Sequence, residues 1–285
     1  MSAHGRGHRR PTGSTRGSTL SLERLPPLPG ALPPAVSATP LAGGDISMVW
    51  RVGLDDGRDV VVKTGPTDAR LEAEGLEALA AAGAPVPRVL AVDAEVLVID
   101  HVAGRGDPAS FGRALAQLHQ TTGPSFGWHR DNVIGPLTQH NDRDDDWPTF
   151  VATQRLAPHL EVLPGELSGR LRAAIDDGRL AELLDHRPAP SLVHGDLWSG
   201  NVLGWRWMID PAVHHADGEV DLAMLALFGG LPPAFVAGYT EVAPLAEGAE
   251  RRRLVLQLVP LLVHVRLFGA GYLGGVEQRL TALGW

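Results

Sequence analysis

Two hydrophobic patterns follow one another along the chain and change near residue 104. In the first part, short apolar and β-branched runs at Met48–Leu54 and Asp59–Thr64 flank the turn sequence LDDGR. This arrangement predicts an antiparallel hairpin. The stretches RVLAVD and EVLVIDHV, residues 88–93 and 95–102, predict two more strands. We therefore expect a small antiparallel sheet in the first third of the chain.

A helix is predicted between these strands. The stretch DARLEAEGLEALAAAGA repeats Leu71, Leu76 and Leu79 among Ala and Glu and is followed by Pro85. The predicted order is strand, Gly-Gly turn, strand, strand with Lys63, helix with glutamates, strand, strand. This is the order of the small nucleotide-binding lobe of a kinase.

From about Gly106 onward the spacing becomes helical. Asp107 occupies an N-cap position and Pro108 the first helical position of DPASFGRALAQLHQ. Residues 144–160, 165–186 and the last forty residues also repeat at helical spacing. The pattern breaks at residues 191–212, where short apolar strands surround a polar loop, so we expect the chemistry there.

His194, Asp196 and Asn201 in that loop fit the H-x-D-x-x-x-x-N pattern of a phosphotransferase catalytic loop. Asp196 could face a substrate hydroxyl while the Asn201 amide oxygen faces a metal on the nucleotide phosphates. Asp210 ends the apolar run WMI, where a carboxylate suits Mg²⁺ as a second ligand. A single Asp in a polar loop is more often a cap or turn residue, so the prediction depends on the combination.

Composition excludes several classes of function. The chain has 285 residues, is 44% hydrophobic and 20% charged, and contains no cysteine, which excludes disulfides and thiol chemistry. Residues 1–20 contain four arginines and no acid, and predict a disordered tail. The rest has 21 basic against 33 acidic residues, which argues against a nucleic-acid-binding body. No apolar run is long enough to span a bilayer.

Lys63 is the only lysine; the other 24 basic residues are arginines. Lysine is a compact point charge on a flexible stem, whereas arginine is a wide planar fork. The chain uses arginine at every other basic position, so the single lysine suggests a position where lysine and arginine are not interchangeable.

The stretches HGDLWSGN, IDPA, DLAMLALFGG, DNVIGPLTQHN and FGRALAQLH resemble the fructosamine kinase (ketosamine kinase) family, within the aminoglycoside-phosphotransferase-like branch of the kinase fold. The resemblance covers roughly residues 35–285. It implies an α+β, two-lobed, protein-kinase-like fold with a small antiparallel sheet and one helix in the N-lobe and a larger, mainly helical C-lobe. We predict the lobes at residues 21–104 and 105–285.

The resemblance also implies roles for single residues. Asp196 is the expected catalytic base, and Asn201 and Asp210 are the expected magnesium ligands. Lys63 is the expected phosphate-binding lysine, with Glu72 or, in another register, Glu74 as its helix partner. The expected nucleotide-binding residues are Gly43, Gly44 and Ser47 in the phosphate-covering turn and Ile99, His101 and Val102 in the adenine hinge. His194 and Asp221 are expected to support the catalytic loop.

The sequence departs from the family after the metal aspartate. Where relatives commonly carry tyrosines and a basic residue, this chain reads VHHADGEVDLAM. His214, His215 and Asp217 are therefore candidate acceptor residues, together with Trp198, which could stack on a sugar. A zinc site at the paired histidines is disfavoured because sequence neighbours rarely point at one ion.

The function implied is ATP- and Mg²⁺-dependent phosphorylation of a sugar hydroxyl on a small-molecule or protein-bound glycated amine. Two alternatives remain: a kinase of the same fold acting on an aminoglycoside or another hydroxylated small molecule, and a nucleotide-binding protein without activity. The second is disfavoured because Lys63, Asp196, Asn201 and Asp210 are all present. We expect a cytoplasmic monomer without nucleic-acid or membrane partners.

Overall fold

A computed structural model describes residues 22–41 and 47–285. The predicted tail at residues 1–20 and the predicted glycine turn at Gly43 and Gly44 lie outside the described residues. Within the described ranges, every helix is too short or too polar to cross a bilayer.

The first part of the described chain is a five-stranded antiparallel sheet with one helix. The sheet has the order β1-β2-β3-β5-β4, and the helix packs against β4 and β5. The elements are β1 (Ala35–Pro40), β2 (Met48–Leu54), β3 (Asp59–Thr64), α1 (Ala69–Ala81), β4 (Val89–Val92) and β5 (Val96–Asp100).

The predicted hairpin is confirmed at the predicted bounds. The Leu54 N–H donates to the Arg58 carbonyl at 2.8 Å, and Gly57 takes the positive φ of 85° that the turn between β2 and β3 requires. Alternate side chains of β2, Trp50 and Val52, are buried in the core of the sheet. The hairpin thereby fixes the position of Lys63 near the end of β3.

The rest of the chain is mainly helical, as predicted. The helices are α2 (Pro108–Leu118), α3 (Trp147–Phe150), α4 (Gly165–Asp176), α5 (Arg179–Leu184), α6 (Glu219–Leu227), α7 (Pro233–Val242), α8 (Ala249–Leu256), α9 (Leu258–Phe268) and α10 (Leu273–Leu283). Short strand pairs interrupt them: β6 (Asn132–Ile134) with β7 (Leu137–Gln139), β8 (Ser191–Val193) with β11 (His214–Ala216), and β9 (Val202–Leu203) with β10 (Trp207–Met208).

Helix α2 begins as predicted, because the Asp107 side chain accepts from the Ser110 N–H at 2.9 Å and Pro108 takes the first position. The segment predicted as helical at 144–160 is less regular. After α3 it widens into a π-helix at Val151–Leu156 and tightens into a 3₁₀ helix at Ala157–Val162. Pro158 has no N–H to continue the α-helical pattern.

One hydrophobic core joins the two lobes. Leu76 and Leu79 of α1 belong to the same buried cluster as Leu197, Met208 and Val213 of the segment around the catalytic loop. Helix α1 is therefore packed on the C-lobe as well as on its own sheet.

Candidate active site

A cleft of about 790 Å³ contains residues of both lobes. The β3 lysine and the α1 glutamate contribute from the N-lobe. The polar loop after β8 and the residues after β10 contribute from the C-lobe. Of the predicted site residues, the cleft brings together Ser47, Lys63, Glu72, Asp196, Trp198, Asn201 and Asp210.

Lys63 pairs with one carboxylate from each lobe. Its Nζ lies 2.7 Å from Glu72 Oε2 and 2.9 Å from Asp210 Oδ1. Burial disfavours the ammonium ion, but the charges of Glu72 and Asp210 outweigh it and raise the pKa of Lys63 above its ordinary value. Lys63 is therefore a fixed positive charge in the cleft.

The two candidate glutamates of α1 have separate partners. Residues two positions apart on a helix do not face the same side, so only one of them can reach Lys63. Glu72 does, and Glu74 contacts Trp128, His129 and Arg130 instead. Burial raises the pKa of Glu72, and its buried Oε1 has no hydrogen-bond partner among the described residues.

Asp221 holds the catalytic loop through hydrogen bonds to the main chain of the loop. Asp221 in α6 accepts from the main-chain N–H of His194 at 2.8 Å and of Gly195 at 2.9 Å, and its Oδ2 lies 3.2 Å from His119 Nε2. Burial alone would raise the pKa of Asp221, but these hydrogen bonds and the nearby histidines hold it below its ordinary value. Asp221 therefore contacts the loop that it is expected to support, and that role stays a prediction.

His194 also connects the loop to the segment before Asp210. Its Nε2 donates to the Ile209 carbonyl at 2.9 Å, and its Nδ1 lies 3.3 Å from the Asp196 N–H. Burial lowers the pKa of His194, in keeping with a neutral ring that donates at one nitrogen and accepts at the other. Gly195 between them has φ of 83°, and a Cβ there would lie 2.1 Å from the Ala212 carbonyl oxygen.

Asp196 and Asn201 are in direct contact. The Asn201 amide donates to the Asp196 carbonyl oxygen at 2.8 Å and to Asp196 Oδ2 at 3.3 Å. Burial, and then the charge of Asp210, raises the pKa of Asp196 to about 7. A carboxylate with a pKa in this range is suited to accept a proton near neutral pH.

Asp210 follows the β9–β10 hairpin and has a left-handed backbone with φ of 56°. The Ile209 N–H donates to the Asn201 carbonyl at 3.1 Å, which holds Asp210 near Asn201. The hairpin thus offers two hard oxygen donors, the Asp210 carboxylate and the Asn201 Oδ1, on one side of the cleft. This donor set fits Mg²⁺.

The structure separates three candidate acceptor residues from the cleft. His214 is 2% exposed in β11 and its Nδ1 donates to the Ala212 carbonyl at 3.1 Å. His215 packs on Trp128, and Asp217 accepts from His186 Nε2 at 2.7 Å. This placement differs from the expectation, because pairing with β8 turns the segment into the interior of the C-lobe.

The predicted hinge spans the end of β5, in which Ile99 lies. Ile99 is buried in the inter-lobe core, and His101 and Val102 come directly after the strand. None of the three is among the residues that line the cleft. Trp198 does line it, is 40% exposed, and lays its ring against Gly200.

A cluster of rings on the C-lobe side of the cleft was not predicted from the sequence. We call it the aromatic wall, and its members are Phe228, His264, Phe268 and Tyr272. The His264 ring centroid lies 5.1, 5.6 and 4.9 Å from those of the other three. His264 and Phe268, at i and i+4 of α9, carried the signal of one helical face, whereas Tyr272 lies beyond the end of α9 in the 3₁₀ turn Ala270–Tyr272. Phe228 carries no such signal.

Comparison with known proteins agrees with this geometry. The sequence profile described as fructosamine kinase matches residues 31–283. The chain belongs to the fructosamine kinase family. A curated relative named probable ketoamine kinase, from Synechocystis sp., is 40% identical over 73% of this chain and 76% of its own length.

Solved structures extend the comparison to the fold. A crystal structure assigned as a fructosamine-3-kinase, from Thermobifida fusca, has a TM-score of 0.81 and 36% identity, covering 95% of this chain and 99% of its own. An aminoglycoside phosphotransferase, solved with AMP-PNP and hygromycin B, has a TM-score of 0.61 and 17% identity over 88% and 94% of the two chains. The protein is therefore a fructosamine kinase family enzyme, an ATP-dependent phosphotransferase with the aminoglycoside-phosphotransferase fold.

Proposed function

We propose that this enzyme phosphorylates a sugar hydroxyl of a glycated amine, using ATP and Mg²⁺, in the cleft between its lobes. The observation that carries the proposal is the convergence of Lys63, Glu72, Asp196, Asn201 and Asp210 on that cleft. Four different segments supply these residues, so their meeting does not follow from local structure.

Each polar residue has a defined task in the proposed transfer. Lys63 binds phosphate oxygens of the nucleotide and Glu72 orients it, since their charged atoms lie 2.7 Å apart. Asp196 orients the acceptor hydroxyl and accepts its proton. The raised pKa of Asp196, about 7, favours proton transfer from an alcohol over an ordinary carboxylate.

Asp210 and Asn201 would hold the magnesium ion. When bound, the ion neutralises negative charge on the nucleotide phosphates. Asp210 also contacts Lys63 at 2.9 Å, so the same carboxylate connects the phosphate-binding lysine to the metal position. The Lys63 ammonium ion, together with a magnesium ion held by Asp210 and Asn201, would suit the negative charge of a polyphosphate chain.

The aromatic wall supports an acceptor with a sugar and an amine. Phe228 and Phe268 are 42% and 49% exposed at the cleft, which is unusual for large apolar rings without a ligand. Their faces can pack against the C–H groups of a sugar and attract the protonated secondary amine of a glycated lysine. His264 Nδ1 lies 2.7 Å from the Pro260 carbonyl and donates to it in the neutral ring, which leaves Nε2 as an acceptor.

The alternative acceptor, an aminoglycoside, is less favoured by the charges. Among the described residues that line the cleft, the acids are Asp68, Glu72, Asp196 and Asp210. The last three belong to the nucleotide, metal and transfer positions, and the aromatic wall adds no carboxylate. A polycation would find little to neutralise its amines on the acceptor side.

The test is acceptor-dependent ADP release with fructosyl-lysine, ribulosyl-lysine and a set of aminoglycosides. We expect turnover with the ketosamines and none above background with the aminoglycosides. Phe268→Ala should raise the acceptor KM about fivefold at unchanged ATP KM, because aromatic packing contributes on the order of 1 kcal/mol. Val36→Ala, which removes an exposed apolar side chain on β1, is the matched control.

Preferential turnover of an aminoglycoside would contradict the proposed acceptor class. Unchanged acceptor KM in Phe268→Ala, with ketosamine turnover intact, would leave the reaction in place and overturn the role of the aromatic wall.

A further inference from the structure

Glu74 connects helix α1 to the C-lobe through three neighbouring donors. Its Oε1 accepts from the Trp128 indole Nε1 at 2.7 Å and lies 3.3 Å from His129 Nε2, and its Oε2 is paired with Arg130. The carboxylate lies two residues after Glu72 and points to the other side of the helix. Glu72 pairs with the active-site lysine Lys63, whereas Glu74 binds residues of the C-lobe.

The segment that receives Glu74 is itself fixed to β11, the strand that pairs with β8 before the catalytic loop. The Gly127 N–H donates to the His215 carbonyl at 2.9 Å, and the His215 N–H donates back to Gly127 at 2.8 Å. The Trp128 ring lies 5.1 Å from the His215 ring, and His215 pairs with Leu192 in β8. A continuous path of contacts therefore runs from Glu74 to β8.

Close packing restricts the same helix face. A Cβ on Gly75 would lie 3.1 Å from Pro211 Cγ and 3.4 Å from a Val213 methyl group, so the helix backbone rests on the residues that follow Asp210. The neighbouring Leu76 is buried in the inter-lobe core. Helix α1 is thus held by apolar contact at Gly75 and by hydrogen bonds at Glu74.

We infer that Glu74 is a positioning residue that sets the rotation of α1, so that Glu72 meets Lys63. The alignment of the helix then depends on the C-lobe anchor. A positioning error of about 1 Å can cost up to 10²-fold in rate, so loss of the anchor should be visible in catalysis.

The hydrogen bond from Trp128 is the part of the anchor that should matter most. The ion pair with Arg130 is partly exposed on both sides, and such pairs contribute little to stability. The indole donor is half-buried and would lose its partner without Glu74. We therefore expect the neutral substitution Glu74→Gln, whose amide oxygen still accepts, to behave almost like the wild type.

The experiment compares four variants for kcat, ATP KM and acceptor KM: Glu74→Ala, Glu74→Gln, Trp128→Phe and the double variant of the first and third. Glu77→Ala is the matched control, an exposed glutamate on the same helix. We expect Glu74→Ala to lower kcat and raise ATP KM, each by about tenfold, with an unchanged acceptor KM. Glu74→Gln and the control should match the wild type.

The double variant separates positioning from independent damage. If Glu74 acts through Trp128, the double variant is no worse than the worse single variant. If Glu74→Ala does not fold, Trp128→Phe, which keeps an aromatic ring, carries the same test. The inference uses only the kinase activity, so failure of the proposed acceptor class would leave it standing.

Two results would overturn it. One is a Glu74→Ala enzyme with the kcat and ATP KM of the Glu77→Ala control at equal folded fraction. The other is additive losses in the double variant, which would mean that the two side chains act separately.

Discussion

Lys63 Nζ lies 2.9 Å from Asp210 Oδ1, and this contact connects the sheet of the N-lobe to the hairpin that follows the catalytic loop. Lys63 is also the only lysine of the chain. The contact explains why the position is lysine: one compact ammonium ion meets two carboxylates from opposite lobes. A planar guanidinium occupies a larger space and directs its donors along fixed lines.

Lys63→Arg should therefore fold but lose phosphotransfer by about 10²-fold or more, since a displaced cation no longer aligns the phosphates. Steady-state ADP release measures the loss. The reverse exchange Arg51→Lys is the control, because Arg51 pairs with Asp59 on the exposed part of the hairpin and should tolerate it. Full activity of Lys63→Arg would refute the size argument.

Asp210→Asn should abolish transfer to every acceptor alike, because it removes the only charged oxygen donor proposed for Mg²⁺. The readout is turnover with each accepted ketosamine, combined with Mg²⁺-dependent nucleotide binding by calorimetry. A variant that loses one acceptor and keeps another would show that Asp210 serves the acceptor rather than the metal.

Asp196→Asn tests the proposed base. Its amide keeps the shape of the loop and can still contact Asn201, so ATP affinity should stay within about twofold while turnover falls by about 10² to 10⁴-fold. Calorimetry with a non-hydrolysable nucleotide and single-turnover kinetics measure the two quantities separately. The opposite outcome is weakened nucleotide binding with normal turnover at saturation. It would show that Asp196 is not the catalytic base.

Much of the fold could be predicted from the pattern of neighbouring residues in the sequence. The DDGR turn between two β-branched runs and the Asp107-Pro108 helix start depend on neighbouring residues, and both are found at the predicted places. The resemblance to the fructosamine kinase family, made on the HGDLWSGN loop, is confirmed by the family profile.

Other features depend on contacts between distant segments, which a single sequence does not display. The rotation of α1 decides between Glu72 and Glu74, and we propose that packing on the C-lobe sets it. The inward direction of His214 follows from its pairing with Val193 in β8. The aromatic wall forms because Phe228, directly after α6, lies against His264 of α9.

The burial of His214 changes the expectation for its removal. His214→Ala should lower the melting temperature and the amount of folded enzyme, without altering the ranking of acceptors. Thermal unfolding and turnover per folded enzyme distinguish the two effects. A changed acceptor preference at unchanged stability would show that His214 does take part in acceptor recognition.

The buried His214 should also make the free energy of unfolding depend on pH. Burial, and then the charge of Arg155, lowers the pKa of its ring well below the ordinary value of 6.5. As the pH falls below about 6.5, the unfolded chain gains a proton that the folded protein does not, so the free energy of unfolding decreases by up to about 1.4 kcal/mol per pH unit. Denaturant unfolding between pH 5 and 7 measures the slope, and NMR of the assigned ring should show no titration near pH 6.5. A ring that titrates there would contradict the assignment.

The most direct test of the proposed phosphorylation of a glycated amine is ³¹P NMR of fructosyl-lysine incubated with ATP, Mg²⁺ and enzyme. We expect a new phosphomonoester signal on the sugar that appears with ADP, is absent without enzyme, and is absent with the Asp196→Asn protein. ADP formed without a sugar phosphate, or the same signal at the same rate from Asp196→Asn, would contradict it.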